Sequence, residues 1–213
     1  MTFLWALAAM PASADIVPAP ERVRAIAHDG YIFAYPLVLM EQTRSRQLAP
    51  LRGTPISGMG NLISILSLAG PGPQSVVRPN ADTLYTGAWV DVSNEPSVFH
   101  LPDTNGRYCL VQLLDAWTDT FGDPGTRTTG SAATDVVIVG PSWHGDLPSG
   151  LKVYRSPTGL VWIIARAAAR PTSDDIAAAN ALQSGYALAP LHDYAKQHWA
   201  YHLNVPRIGG RAV

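Results

Sequence analysis

Apolar positions along the chain follow two different periods, and the changes of period divide it. From Glu21 to about Gln47, Val23, Ile26, Ala27, Phe33, Ala34, Leu37 and Met40 recur at helical spacing, with Arg22, Arg24, Asp29 and Glu41 mostly elsewhere. Gly30 and Pro36 interrupt this pattern, which predicts a kink or two shorter helices. A second short helix is predicted over Asn61–Ala69, stopped by Gly70-Pro71-Gly72-Pro73.

From Thr83 the period is two. Leu84, Thr86, Ala88, Val90 and Val92 fall on one face of a strand, and Tyr85, Gly87, Trp89 and Asp91 on the other. Turns at Asn94-Glu95-Pro96 and at Pro102 to Gly106 bracket a strand Ser97–Leu101, and Arg107–Asp115 is a third, strongly apolar strand. Asp135–Val139, Leu151–Arg155 and Leu160–Arg166 follow, the last two joined by a turn at Ser156-Pro157-Thr158-Gly159. Helical spacing returns behind Thr172-Ser173-Asp174-Asp175, an N-cap with first-turn acids, at Ile176, Ala179 and Leu182. Pro190 ends that helix, and Leu191–His202 is a further helical candidate. Six short strands with Gly, Pro and Asn turns, and no βαβ alternation, predict a mainly β protein built as an antiparallel sandwich.

Composition narrows the picture. A chain of 213 residues suits one medium domain with helical additions, and 15% charged residues with 18 Gly and 18 Pro fits short strands and many turns. The net charge of −1, without a dense Lys/Arg run, argues against nucleic acid as a partner. At the N-terminus, Thr2 to Met10 is apolar and Ala12-x-Ala14 fits a signal-peptidase site before Asp15, although no basic residue precedes the apolar run. That run is too short to span a bilayer, and no other approaches spanning length. The expected organisation is a signal peptide over 1–14, a helical segment over 15–70, a β-sandwich over 71–170, and C-terminal helices and tail over 171–213. The mature protein is expected to be periplasmic or secreted.

Candidate chemistry is sparse. The Gly-rich dinucleotide and phosphate-loop motifs and His-Glu-x-x-His are all absent, and no cofactor is expected. Gly140-Pro141-Ser142-Trp143-His144-Gly145 resembles a nucleophile elbow but places its second Gly one residue late. The lone Cys109 lies in an apolar run and reads as a buried, inert thiol. His198 and His202, at i and i+4, are weak candidates to chelate a metal, with His192 or Asp193 as third ligand only if the helix breaks; the aromatics between them also suit a packing helix.

The strand ends carry more. In a simple meander, Asp82 and Arg107 share one end of the sheet, with Tyr108 beside them, while Asp115 leaves at the other. Nine residues of strand separate those ends by about 25 Å or more, and a catalytic carboxylate pair needs about 10 Å or less. An Asp82/Asp115 acid–base pair therefore fails in that topology, and only a crossover would restore it. Arg107 beside Asp82 reads as a structural ion pair at a strand start, or alternatively as a grip on a ligand carboxylate. The other end gathers Asp115, Trp117, Asp119 and, from the following Gly-rich loop, Arg127, which would form a sugar- or aromatic-binding platform or a packed crossover.

Several phrases in order resemble one bacterial family, the domain of unknown function 1254. They are Ala34-Tyr35-Pro36-Leu37-Val38-Leu39-Met40, Pro79-Asn80-Ala81-Asp82-Thr83-Leu84-Tyr85, Gly106-Arg107-Tyr108, Gln112-Leu113-Leu114-Asp115-Ala116-Trp117-Thr118, Gly125-Thr126-Arg127-Thr128-Thr129-Gly130 and Leu182-Gln183-Ser184-Gly185-Tyr186. The resemblance spans about residues 20 to 190, and Asp119 stands where the family's phrase has Asn. It implies an immunoglobulin-like antiparallel β-sandwich with flanking N- and C-terminal α-helices, often behind an export signal, and it implies no activity. Many such proteins continue into a second domain, of unknown function 1214; with the chain ending at Val213, a first-domain-only member is expected. Such a half would bind without catalysing, or recruit a separate protein partner. The leading expectation is an exported protein binding a small organic molecule, a glycan or a partner protein through sandwich-end loops. The alternatives are a cofactor-independent hydrolase or lyase using Asp115, Asp82 and Tyr85 with an Arg, and a structural envelope protein.

Overall fold

In this computed structural model the described residues are 19–54, 58–70, 78–195 and 207–208. The expected signal segment 1–14, His198, His202 and most of the Leu191–His202 helix lie outside them. The chain forms two compact units, Met1–Tyr35 and Pro36–Val213, so the border falls inside the first helix.

That helix, α1, runs unbroken over Pro20–Leu48 with Pro36 inside it, rather than as two pieces. In the first unit it exposes Val23, Ile26 and Phe33. In the second unit its apolar stripe is used: Met40 is buried and clusters with Trp89 and Leu114. A 3-10 turn, Ala49–Leu51, follows.

Ten strands are described: β1 Ile63–Ile65, β2 Thr83–Asp91, β3 Ser97–Leu101, β4 Cys109–Leu114, β5 Thr120–Gly122, β6 Thr134–Val139, β7 Lys152–Arg155, β8 Leu160–Ala168, β9 Ala187–Pro190 and β10 Arg207–Ile208. They make a six-stranded sheet in the order β10-β1-β2-β8-β4-β5 and a four-stranded sheet in the order β7-β6-β3-β9. The helices α2, Ser173–Gln183, and α3, Leu191–Ala195, complete the described elements. The period-two reading of β2 holds, since Leu84, Thr86, Ala88, Val90 and Val92 are all buried. Ala88, Val90, Val111, Leu113, Val161 and Ile163 of the larger sheet meet Phe99, Leu101, Val136 and Ile138 of the smaller one in a single apolar core. Alternation thus turns one face of each sheet inward, as a half-covered antiparallel sheet requires.

Four expectations are corrected. Asn61–Ala69 is not helical, because Ile63–Ile65 pairs with Tyr85–Gly87 along the edge of β2. The β2-β3-β4 meander does not form: β3 belongs to the other sheet, and β8 lies between β2 and β4. The 156–159 turn therefore passes between sheets instead of closing a hairpin. Nor is pairing wholly antiparallel, since β6 with β7 and β1 with β10 run parallel.

The position of β8 sets which strand ends meet. It is antiparallel to both neighbours, with Thr83 opposite Ala168 and Cys109 opposite Ala167. The starts of β2 and β4 consequently lie at one end of the sheet, one strand apart, and the ends of both lie at the other.

Candidate functional site

At the end where β2 and β4 begin, three chain segments meet a helix. Thr172 caps α2, its side chain accepting from the Asp175 backbone N–H, and this places the Asp175 carboxylate over the strand ends. Four donors converge on it: Arg107 Nη1 and Nη2, each at 3.1 Å, the Arg170 backbone N–H at 2.6 Å and Arg170 Nη2 at 3.2 Å. Arg107 Nη1 also donates to the Ala168 carbonyl at 2.6 Å, which ties the start of β4 to the end of β8. This cluster lines a groove of about 720 Å³. One side carries Asp82, the loop from Pro102 to Tyr108 and Ala168 to Arg170; the other is the α2 face of Asp175, Ala178, Ala181 and Leu182. Alanines on that helix face are too small to fill the space.

The side-chain hydrogen bonds from Arg107, assisted by those from Arg170, hold the Asp175 carboxyl well below the usual carboxylate range. An unfolded aspartate titrates near pH ~4. The depressed folded value means that Asp175 stabilises the native state fully above that pH, and that the contribution disappears as pH falls through the folded value. Urea unfolding followed between about pH 2 and pH 6 should show stability falling steeply below about pH 4. In Asp175→Asn that slope should flatten; an unchanged slope would mean the four-donor cluster does not couple to folding.

Of the residues expected to matter, Asp82, Arg107 and Tyr108 are brought together here, all lining the groove. The expected Asp82–Arg107 ion pair is corrected: Arg107 pairs with Asp175 instead, with side chains 20% and 13% exposed. Asp82 is exposed, and among the described residues its carboxylate makes no hydrogen bond or ion pair. Arg127 is also corrected. It lies not with Asp115 but 5.6 Å over the ring of Tyr108, because Gly125 bridges to Leu110 and the loop runs back along β4. Those two residues, with Asp123, border a smaller cavity of about 150 Å³.

At the opposite end Asp115 is 3% exposed, and its Oδ1 accepts from the backbone N–H of Trp117 at 2.8 Å and of Asp119 at 3.0 Å. It shapes the turn that leads into β5. Asp82 and Asp115 therefore stand at opposite ends of parallel-running strands, and Asp115 is not positioned to work with Asp82. Tyr85 lies on the outer face of the larger sheet, its hydroxyl accepting from the Asn80 N–H at 2.8 Å and its ring 5.5 Å from the Arg166 guanidinium. Cys109 is buried with its Sγ 3.0 Å from the Tyr186 hydroxyl, and burial pushes the thiol up, so it is held as a packed, protonated group. His192 bonds Glu95 at 2.6 Å, and among the described residues no three His, Cys, Asp or Glu side chains cluster as a metal site. No described helix is long and apolar enough to cross a membrane.

Sequence reading missed Arg170, Asp175 and the loop carboxylate Asp103. The Thr172–Asp175 capping signal marked the helix start, yet nothing local says which strand end that helix start covers.

The chain matches the family described as "Protein of unknown function (DUF1254)" over residues 60–190. It resembles the crystal structure of the VPA0106 protein from Vibrio parahaemolyticus with a TM-score of 0.66 at 22% identity, over 81% of this chain and 39% of that one. It also aligns with an uncharacterized protein from Burkholderia cenocepacia at a TM-score of 0.35 and 15% identity, over 78% of this chain and 48% of that one. No curated protein matches it. The Vibrio likeness extends to the fold, and the chain spans 39% of that protein's length.

Proposed function

The chain belongs to the DUF1254 family of proteins of unknown function, and we propose that it binds a small organic molecule in the groove at the starts of β2 and β4. The observation that carries this reading is a concave space of about 720 Å³ lined by the guanidinium groups of Arg107 and Arg170 and by the carboxylate of Asp82, which is unpaired among the described residues. Clefts of about 300–1,000 Å³ with a few converging polar groups are the usual form of small-molecule sites.

The groove serves binding better than catalysis. A hydrolase or lyase using Asp115, Asp82 and Tyr85 would need side chains that here occupy two ends and an outer face. The proposal includes export, on the strength of the Thr2–Ala14 pattern, and an immunoglobulin-like arrangement of the two sheets.

A melting-temperature screen against amino acids, organic acids, amines and neutral sugars tests the reading. A ligand present at about a hundred times its Kd stabilises by about 2.7 kcal/mol, which raises Tm by a few degrees for a chain of this size. Leu182→Trp, which fills the groove from the α2 side, should abolish the shift while leaving the circular dichroism unchanged. A shift that survives Leu182→Trp places binding elsewhere, and no shift with any class favours a structural envelope protein.

A further inference from the structure

The groove is electrically divided, and the division specifies a ligand class; this inference rests on the binding reading above. Asp82 stands immediately before β2 and Arg107 two residues before β4, with the end of β8 between them. Neighbouring strands lie about 4.8 Å apart, so the two backbones are separated by about 10 Å. On the Arg107 side two guanidinium groups share the carboxylate of Asp175, and the side chain of Arg170 is 83% exposed; Asp103 on the same loop accepts from the Asn105 backbone N–H and, among the described residues, pairs with neither guanidinium. On the other side Asp82 has no cation paired with it among the described residues. The end of β8 lines the groove with Ala168, Ala169 follows it, and Ala178 and Leu182 line it from α2. A positive end, an apolar middle and a negative end follow one another across the cleft.

A ligand with one charge would satisfy one end and strip water from the other without replacing it, which is costly. A ligand carrying an anion and a cation on a short apolar spacer pairs both ends and places its methylenes on the alanines. We propose that the groove takes a zwitterion with separated charges, of the ω-amino acid type, its carboxylate on Arg170 and the Arg107–Asp175 cluster and its ammonium on Asp82. Selectivity then comes from requiring both charges at once.

Three probes test this by titration calorimetry: 5-aminopentanoate, pentanoate and pentylammonium, the same spacer with both charges or one. The amino acid should bind at least tenfold more tightly than either analogue. Asp82→Asn should reduce its affinity at least tenfold, to the level of pentanoate, without changing pentanoate binding. Arg170→Ala should weaken the amino acid and pentanoate and leave pentylammonium unchanged. Both substitutions are at exposed side chains, and an unaltered Tm of the free variant confirms the fold. Equal affinities for the three probes, or no binding of 5-aminopentanoate, overturn the zwitterion assignment. If a neutral sugar then still binds in a way that Leu182→Trp blocks, the groove reading stands; if nothing binds there, both fall.

Discussion

Trp89→Ala is expected to destabilise the protein by about 3–5 kcal/mol, the range for removing a large aromatic from a packed site. Trp89 is 1% exposed and stacks on its cross-strand partner Trp162 with centroids 4.9 Å apart and planes 6° from parallel. Its indole N–H donates to Gln47 Oε1 at 2.9 Å, which fastens the second half of α1 to the outer face of the larger sheet. Truncation empties the centre of the small cluster with Met40 and Leu114 and orphans the Gln47 acceptor. Urea unfolding by circular dichroism measures the loss. Trp162→Ala, at a partly exposed position, should cost less. A loss under about 1 kcal/mol for Trp89→Ala, no more than a surface contact, would mean that the helix does not seal that face.

The second large effect belongs to Gln183, a polar side chain only 1% exposed. Its Nε2 lies within bonding distance of the Tyr85 carbonyl at 2.9 Å, Thr86 Oγ1 at 3.0 Å and the Ile65 carbonyl at 3.4 Å. One amide thus joins the last turn of α2 to β1 and β2. Gln183→Ala leaves buried acceptors without their donor, at about 1–3 kcal/mol each, and opens a cavity as well. We expect a total near 3 kcal/mol. Hydrogen exchange should accelerate most in α2, because the packing that remains, Ala179 with Leu84 and Ala169, involves small contacts. If exchange accelerates uniformly over both sheets, the amide supports the whole fold rather than seating the helix. That distinction matters for the groove, one wall of which is this helix.

What the sequence made legible follows from what is local. The alternation in Thr83–Val92, the turn at Asn105-Gly106, with both residues at positive φ, and the cap at Thr172 each lie within a few residues of their cause. Order along the sheet is not local. The insertion of β8 between β2 and β4 joins residues about eighty positions apart, and nothing in either stretch names the other. The meander nevertheless placed Asp82 and Arg107 at one end, because inserting an antiparallel strand between β2 and β4 leaves them running the same way. The partner of Arg107 was out of reach for the same reason: Asp175 is 68 residues away. Ile63–Ile65 reads as helical from the sequence because a three-residue strand is too short to display alternation. The position of Arg127 is not legible because the return of the Gly125 loop along β4 depends on backbone pairing, which side-chain pattern does not encode.

The placement of β8 also sets a timetable. Synthesis runs from the N-terminus, so β2 and β4 leave the ribosome well before the strand that separates them. Until Leu160–Ala168 has emerged, each of the two has an open edge where its central neighbour will lie, and open edges invite pairing with other chains. The Arg107–Ala168 tie waits for β8, and the groove waits for β8 and for α2 behind it. A nascent molecule of this topology has its greatest need of a chaperone just before β8 closes the gap between β2 and β4.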